Sequence, residues 1–158
     1  MLDAAYAWLT GDSTLSGLPL AFLLGALVGA EREWRQSAAS LRACVLVSVA
    51  AAAFADLMAT RVDPHNLGAA FGAIATGVGF LGAGAIMREG ANVRGLSTAA
   101  TIWCVAAIGA QAGAQEALGA VWLTGLVLLV NIVLKPVQRL IHRRRPRHAS
   151  AEDRALEG

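Results

Sequence analysis

The sequence predicts an all-α integral membrane protein with five transmembrane helices, its N-terminus outside and its C-terminus cytoplasmic. Three observations predict it. The chain is 56% hydrophobic and 15% charged, with a mean hydropathy of +0.56, more apolar and less charged than a soluble domain. Apolar runs approaching the ~20 residues that cross a hydrocarbon core recur five times. Twelve of the thirteen basic residues fall in three places: 32–42, 88–94, and from Lys135 onward. A water-soluble reading would need all-apolar helices buried on every side, and 158 residues cannot surround several of them.

Residues 1–14 form a short external segment. It lacks a basic n-region, so no cleavable secretory signal is expected. The first span is Leu15–Ala30 and the second Ala43–Ala59. The third is the run NLGAAFGAIATGVGFLGAGAIM at 66–87, the fourth Leu96–Gly113 and the fifth Ala117–Leu134. Together 15–139 make one membrane domain. Residues 140–158 are polar and rich in arginine, and are expected to form a disordered cytoplasmic tail lying against anionic headgroups.

Arginine sets the orientation. The first loop holds Arg32, Arg35 and Arg42, the third Arg88 and Arg94, and the tail seven basic residues. The second loop holds Arg61 and the fourth no basic residue. The positive-inside rule puts loops one and three and the tail in the cytoplasm. Trp8 and Trp122 then fit the outer interface and Trp34 the inner one. Trp103 falls near mid-span, where helix packing is the expected role and lining a polar cavity the alternative.

The third span is the expected structural centre. Its glycines at 68, 72, 77, 79, 82 and 84 suit close helix contact or backbone that leaves helical geometry. Gly25 and Gly29, Gly68 and Gly72, and Gly109 and Gly113 each make a G-x-x-x-G pair. Such a pair puts both glycines on one helix face, for packing within the chain or across a dimer. Gly77, Gly79 and Gly82 also spell G-x-G-x-x-G, but a dinucleotide site needs a preceding strand and an acid about 20 residues on. Residues 97–106 carry no acid.

The charged residues form the other candidate group. Glu31 and Arg35, four apart, can pair along a helix. Glu31, Arg32, Glu33 and Arg35 end the first span. They are expected to join Arg42, Arg88, Asn92 and Arg94 in a cytoplasmic charge network. Glu31 and Glu33 are weak candidates for oxygen ligation of a hard cation such as Mg²⁺. Asp56 is the acid placed within a span, hence a functional candidate and a third weak metal ligand; the alternative is that it reaches water within a turn of the interface. Asp63 with Pro64 signals a turn. Ser97 and Thr98 can cap the fourth helix, and the face of Ser97, Thr98, Thr101 and Trp103 can bond across to the glycine-rich helix. His65, His142 and His148 have no metal-ligand spacing. Cys44 and Cys104 sit roughly 8 Å apart in depth at 1.5 Å per residue, which disfavours a disulfide. No ladder of basic and aromatic residues suggests nucleic-acid binding. No Ser/His pair or facing carboxylates suggest an enzyme.

In this order these residues resemble the MgtC/SapB family of bacterial inner-membrane proteins. The match is carried by Gly25-xxx-Gly29-x-Glu31-Arg-Glu-Trp-Arg35, Leu41-Arg42, Asp63-Pro64, Gly77-Val-Gly-Phe-Leu-Gly-Ala-Gly84, and Asn92-Val-Arg-Gly-Leu-Ser-Thr-Ala-Ala-Thr-Ile-Trp103 with Ala106-Ala-Ile-Gly109. It covers about residues 17–140. Ala-Ser precedes Leu41 where Gly or Ala-Gly is usual, and Ser97 stands where Thr is common. Several members continue into a soluble ferredoxin-like or ACT-like domain, so the chain is expected to be a short form. The resemblance implies a role in magnesium limitation, stress and intracellular survival, exerted on machines such as ATP synthase or transporters. The expected protein is a non-enzymatic regulator without a cofactor, assembling as a homo-oligomer, a dimer favoured. The alternative is a small oligomeric Mg²⁺ or proton carrier.

Overall fold

A computed structural model describes residues 17–35, 40–61, 67–89 and 92–143. The order is α1 (Gly17–Trp34), α2 (Leu41–Arg61), α3 (Leu67–Gly84), β1 (Met87–Glu89), β2 (Asn92–Arg94), α4 (Leu96–Gly113) and α5 (Ala117–Arg143). The chain divides into two units, one ending at Val127 and the other beginning at Leu128. In the second unit the described residues continue α5 through 140–143, positions that the sequence alone assigns to the tail. The expected external segment, Trp8, Asp63 with Pro64, His65 and residues 144–158 lie outside the described residues.

Among the described residues, three helices are long and apolar enough to cross a membrane: Leu41–Ala59, Leu96–Gly113 and Ala117–Leu134. Gly68–Gly84 is apolar but shorter. α1 ends its 18 residues in Glu31, Arg32 and Glu33, which shortens its apolar stretch.

In the first unit, α2 and α4 pack against each other and both pack on α1. Gly109 of α4 lies on the backbone of Ser48, and Gly113 on that of Ala52. Both residue numbers rise by four, so α2 and α4 run parallel. Gly25 of α1 lies on Ser48 and Gly29 on Cys44 and Leu41, so α1 runs antiparallel to α2. Gly17 against Ala112 and Arg32 against Thr98 set α1 antiparallel to α4. A chain crossing a layer alternately up and down produces these directions.

Size is sorted in the sense a bilayer favours. Small residues fill much of the core: Ala21, Ala51, Ala52, Ala55, Ala106, Ala110 and Ala112 are all at most 5% exposed, beside branched Val28, Val105 and Ile108. Phe22, Leu23, Leu46, Phe54, Phe80 and Trp122 face outward. In water, burying Ala and exposing Phe would forfeit apolar burial. In lipid, chain packing against Phe and Leu costs little, and small residues let helix backbones meet.

The glycine-rich helix departs from its expected place. α3 packs on α4 and α2 through Ala70, Val78 and Gly82, which are buried. A Cβ at Gly82 would stand 3.5 Å from that of Ala99, an ordinary contact. At Gly68, Gly72, Gly77, Gly79 and Gly84 a Cβ would meet nothing within 4 Å. These five glycines do not draw other helices of the chain close, and α3 flanks the core instead of forming its centre. Residues 77–84 remain helical.

Between α3 and α4 the chain makes a short antiparallel hairpin, pairing Met87 with Arg94, Arg88 with Val93 and Glu89 with Asn92. Gly95 turns it into α4 at φ 90°, ψ −7°. This left-handed conformation suits a residue without Cβ, and a Cβ there would also strike the Ala85 carbonyl.

Candidate functional site

The helix directions bring the end of α1 and the starts of α2 and α4 to one end of the first unit. This gathers much of the charge identified in the sequence. Arg35 Nε lies 2.6 Å from Glu31 Oε1, one turn apart on α1. Glu33 Oε2 accepts the Leu41 N–H at 3.0 Å, and Ser40 Oγ accepts the Ala43 N–H at 3.2 Å. A carboxylate and a hydroxyl thus cap α2, the arrangement its N-terminal partial charge favours. Arg42 is exposed at the same helix start.

Arg32 is different. It is 7% exposed, and its guanidinium donates one long hydrogen bond, 3.5 Å, to Thr98 Oγ1 in the first turn of α4. Its Nε is buried and has no acceptor. Arg88 and Arg94 are exposed on the hairpin. Arg94 pairs with Met87, next to Arg88, and side chains alternate along a strand, so the two arginines occupy opposite faces. Asn92 opens β2 opposite Glu89.

The hydroxyl face of α4 serves other partners than expected. The N-cap is Gly95, and among the described residues no side chain makes a capping hydrogen bond, so Ser97 and Thr98 do not act as caps. Thr101 donates to the Ser97 carbonyl of its own helix at 2.9 Å, and Thr98 accepts from α1. These hydroxyls tie α4 to itself and to α1, not to α3. Ser97 is exposed. Trp103 is 51% exposed and lines an apolar groove with Phe71, Ile74 and Ala107.

Asp56 is only 5% exposed. It continues a row at every fourth position of α2: Cys44, Ser48, Ala52 and Asp56 are all buried. Ser48 is the residue that reading for charge and glycine overlooks. It is fully buried where α1, α2 and α4 meet, and its hydroxyl donates to the Ala21 carbonyl at 2.8 Å. The four-residue spacing of small side chains on α2 is the signal that finds it. Among the described residues no group of three His, Cys, Asp or Glu could hold a metal ion, and Cys44 and Cys104 are free thiols. Asp56 is on the far side of Ser48 and Ala52 from Glu31 and Glu33, so the three acids do not converge.

This assembly has relatives. The MgtC family model matches residues 18–140. The chain belongs to the MgtC family. It is 48% identical over 136 residues to Protein MgtC of Salmonella paratyphi A, covering 86% of this chain and 58% of that protein. It is 48% identical over 122 residues to Protein MgtC of Salmonella typhimurium, covering 77% and 52%. With Protein MgtC of Brucella abortus it shares 42% over 137 residues, covering 85% and 56%. The chain thus spans just over half the length of these MgtC relatives. No solved structure matches it. The MgtC family match takes in Gly25, Gly29, Gly109 and Gly113 of the internal helix contacts, Arg32 with Thr98, and the whole of α3.

Proposed function

We propose that this MgtC family member is a non-enzymatic regulator in the bacterial inner membrane. It would act by helix contact, as a dimer and with other membrane machines such as transporters or ATP synthase, in magnesium limitation, stress and intracellular survival. The five helices would all cross the bilayer, with the charged end cytoplasmic.

One observation carries the reading. The glycines of α1 and α4 are consumed by contacts inside the chain, whereas five of the six in α3, all but Gly82, are not. Gly68, Gly72, Ala75, Gly79 and Ala83 fall at i, i+4, i+7, i+11 and i+15, one narrow stripe at 3.6 residues per turn. Small residues on a lipid-facing helix give up side-chain contact with lipid, and they allow a second helix to approach closely. The neighbouring groove between α2 and α3, about 640 Å³ and lined by residues such as Leu46, Phe54, Ile74 and Gly77, extends this apolar surface.

The test is self-association in proteoliposomes, read by energy transfer between labelled copies. Gly72→Leu and Gly79→Leu should each leave the chain folded and monodisperse while lowering transfer severalfold. Unchanged transfer in both variants would refute the dimer. A second reading rests on the burial of Asp56: a Mg²⁺ or proton carrier in which that carboxyl handles the ion. Flux above the empty-vesicle level in wild type, lost in Asp56→Asn or Glu31→Gln, would favour it and displace the purely regulatory one.

A further inference from the structure

We propose that Arg32, Thr98 and the first turn of α4 form a binding site for a phosphate-type oxyanion at the charged end of the bundle. Four observations meet there. Arg32 is 93% buried, being 7% exposed. Of its donors, one reaches a protein acceptor, Thr98 Oγ1, and its Nε is enclosed with none. The group it touches lies in the first turn of an 18-residue helix. That helix begins at a glycine, and no side chain among the described residues makes a capping hydrogen bond to it.

The electrostatics point to a ligand. A helix N-terminus carries roughly half a positive charge and favours anions. A buried guanidinium beside it repels that partial charge, and a buried charge with few hydrogen bonds is costly. The nearby carboxylates have other engagements: Glu31 Oε1 faces Arg35 Nε, and Glu33 Oε2 holds the Leu41 N–H. A tetrahedral oxyanion would accept from the planar fork of Arg32, from the Thr98 hydroxyl and from the α4 amides together. It would also neutralise both positive ends.

The site is built by the fold. Arg32 reaches α4 because α1 runs antiparallel to it. Gly95 is required at the turn because φ is 90° and the Ala85 carbonyl occupies the Cβ position. The helix therefore loses its own cap at the place where the guanidinium arrives. The oxyanion can be the phosphate of an anionic lipid headgroup or free inorganic phosphate; the chemistry is shared.

Two arms separate these sources. In the first, inorganic phosphate is titrated against the delipidated chain in detergent at constant ionic strength, with chloride as the reference. In the second, native mass spectrometry compares retention of phosphatidylglycerol with that of phosphatidylcholine. Saturable phosphate binding supports the free ion, and selective retention of phosphatidylglycerol supports the headgroup. In either arm Arg32→Gln should weaken binding on the order of tenfold to a hundredfold, the loss of charge-assisted hydrogen bonds. Arg32→Lys keeps the charge without the fork and should fall between. Thr98→Val should weaken binding severalfold, and carries the test if Arg32→Gln does not accumulate. Arg42→Gln, which removes a charge outside the site, should match wild type. Absence of binding in both arms overturns the proposal. So does binding indifferent to Arg32→Gln and Thr98→Val, or equally weakened by Arg42→Gln.

Discussion

Replacing Gly109 by alanine puts the central helix contact to a direct test. An ideal Cβ at this position falls inside hard contact with the Ser48 carbonyl, and within 2.8 Å of its Cα. Both atoms are backbone, so no rotamer change relieves the overlap. α2 and α4 must separate by more than an ångström to restore ordinary contact, and even a gap of about 0.5–1 Å forfeits a quarter to a half of each dispersion contact it opens. Inserting a methyl into such packing costs about 1–3 kcal/mol. The better helix propensity of alanine returns at most ~1 kcal/mol. With the full propensity gain returned, the expected net effect of Gly109→Ala is a loss of up to about 2 kcal/mol. Gly68→Ala and Gly72→Ala keep the propensity gain and meet no atom within 4 Å, so they should be neutral or stabilising within the monomer. The assay is unfolding in mixed micelles, followed by size-exclusion profile after heating and by denaturant titration. Equal midpoints for Gly109→Ala and Gly72→Ala would refute the close-contact reasoning, because both are glycines within apolar helices and differ in what lies opposite.

Other substitutions probe separate features in the same assay. Gly113→Ala, directed at the Ala52 carbonyl, should destabilise like Gly109→Ala; the double variant should cost less than the sum, because one helix separation relieves both overlaps. Gly95→Ala combines a left-handed backbone with the Ala85 carbonyl. It should cost at least the ~1–3 kcal/mol of a strained residue, and wild-type stability would remove the argument for a required glycine. Ser48→Ala deletes the 2.8 Å bond to the Ala21 carbonyl and should cost on the order of 1 kcal/mol. Arg35→Ala should change stability by less than ~1 kcal/mol, since the ion pair it makes with Glu31 is partly exposed and such pairs contribute little.

Much of the element order was legible because the signal is local. Apolar runs mark α1, α2, α4 and the start of α5 to within a few residues, and charge breaks them. The same locality explains the failures. A run of charge and proline from Leu140 reads as tail, yet α5 extends through 140–143. Ser97 and Thr98 have the composition of caps, but the turn geometry gives the N-cap to Gly95. Residues 88–95 read as a loop and 85–87 as the end of the third span, with no alternation long enough to signal the three-residue strands that pair over 87–94.

By itself the sequence determined that the chain is helical and apolar enough for a membrane, that its arginines collect in separate segments, and that it resembles one family. Those properties follow from composition and from neighbours along the chain. Only the tertiary structure decided which glycines are used. The pairs 25/29 and 109/113 and the pair 68/72 have the same spacing, and spacing fixes the face of a helix, not what stands opposite it. Two pairs meet neighbouring helices at van der Waals range, and the third meets open space. The same holds for charge. Glu31, Arg32, Glu33 and Arg35 adjoin in sequence, but each successive residue turns about 100° around the helix. That rotation aims Arg32 into the packed face, at the start of α4.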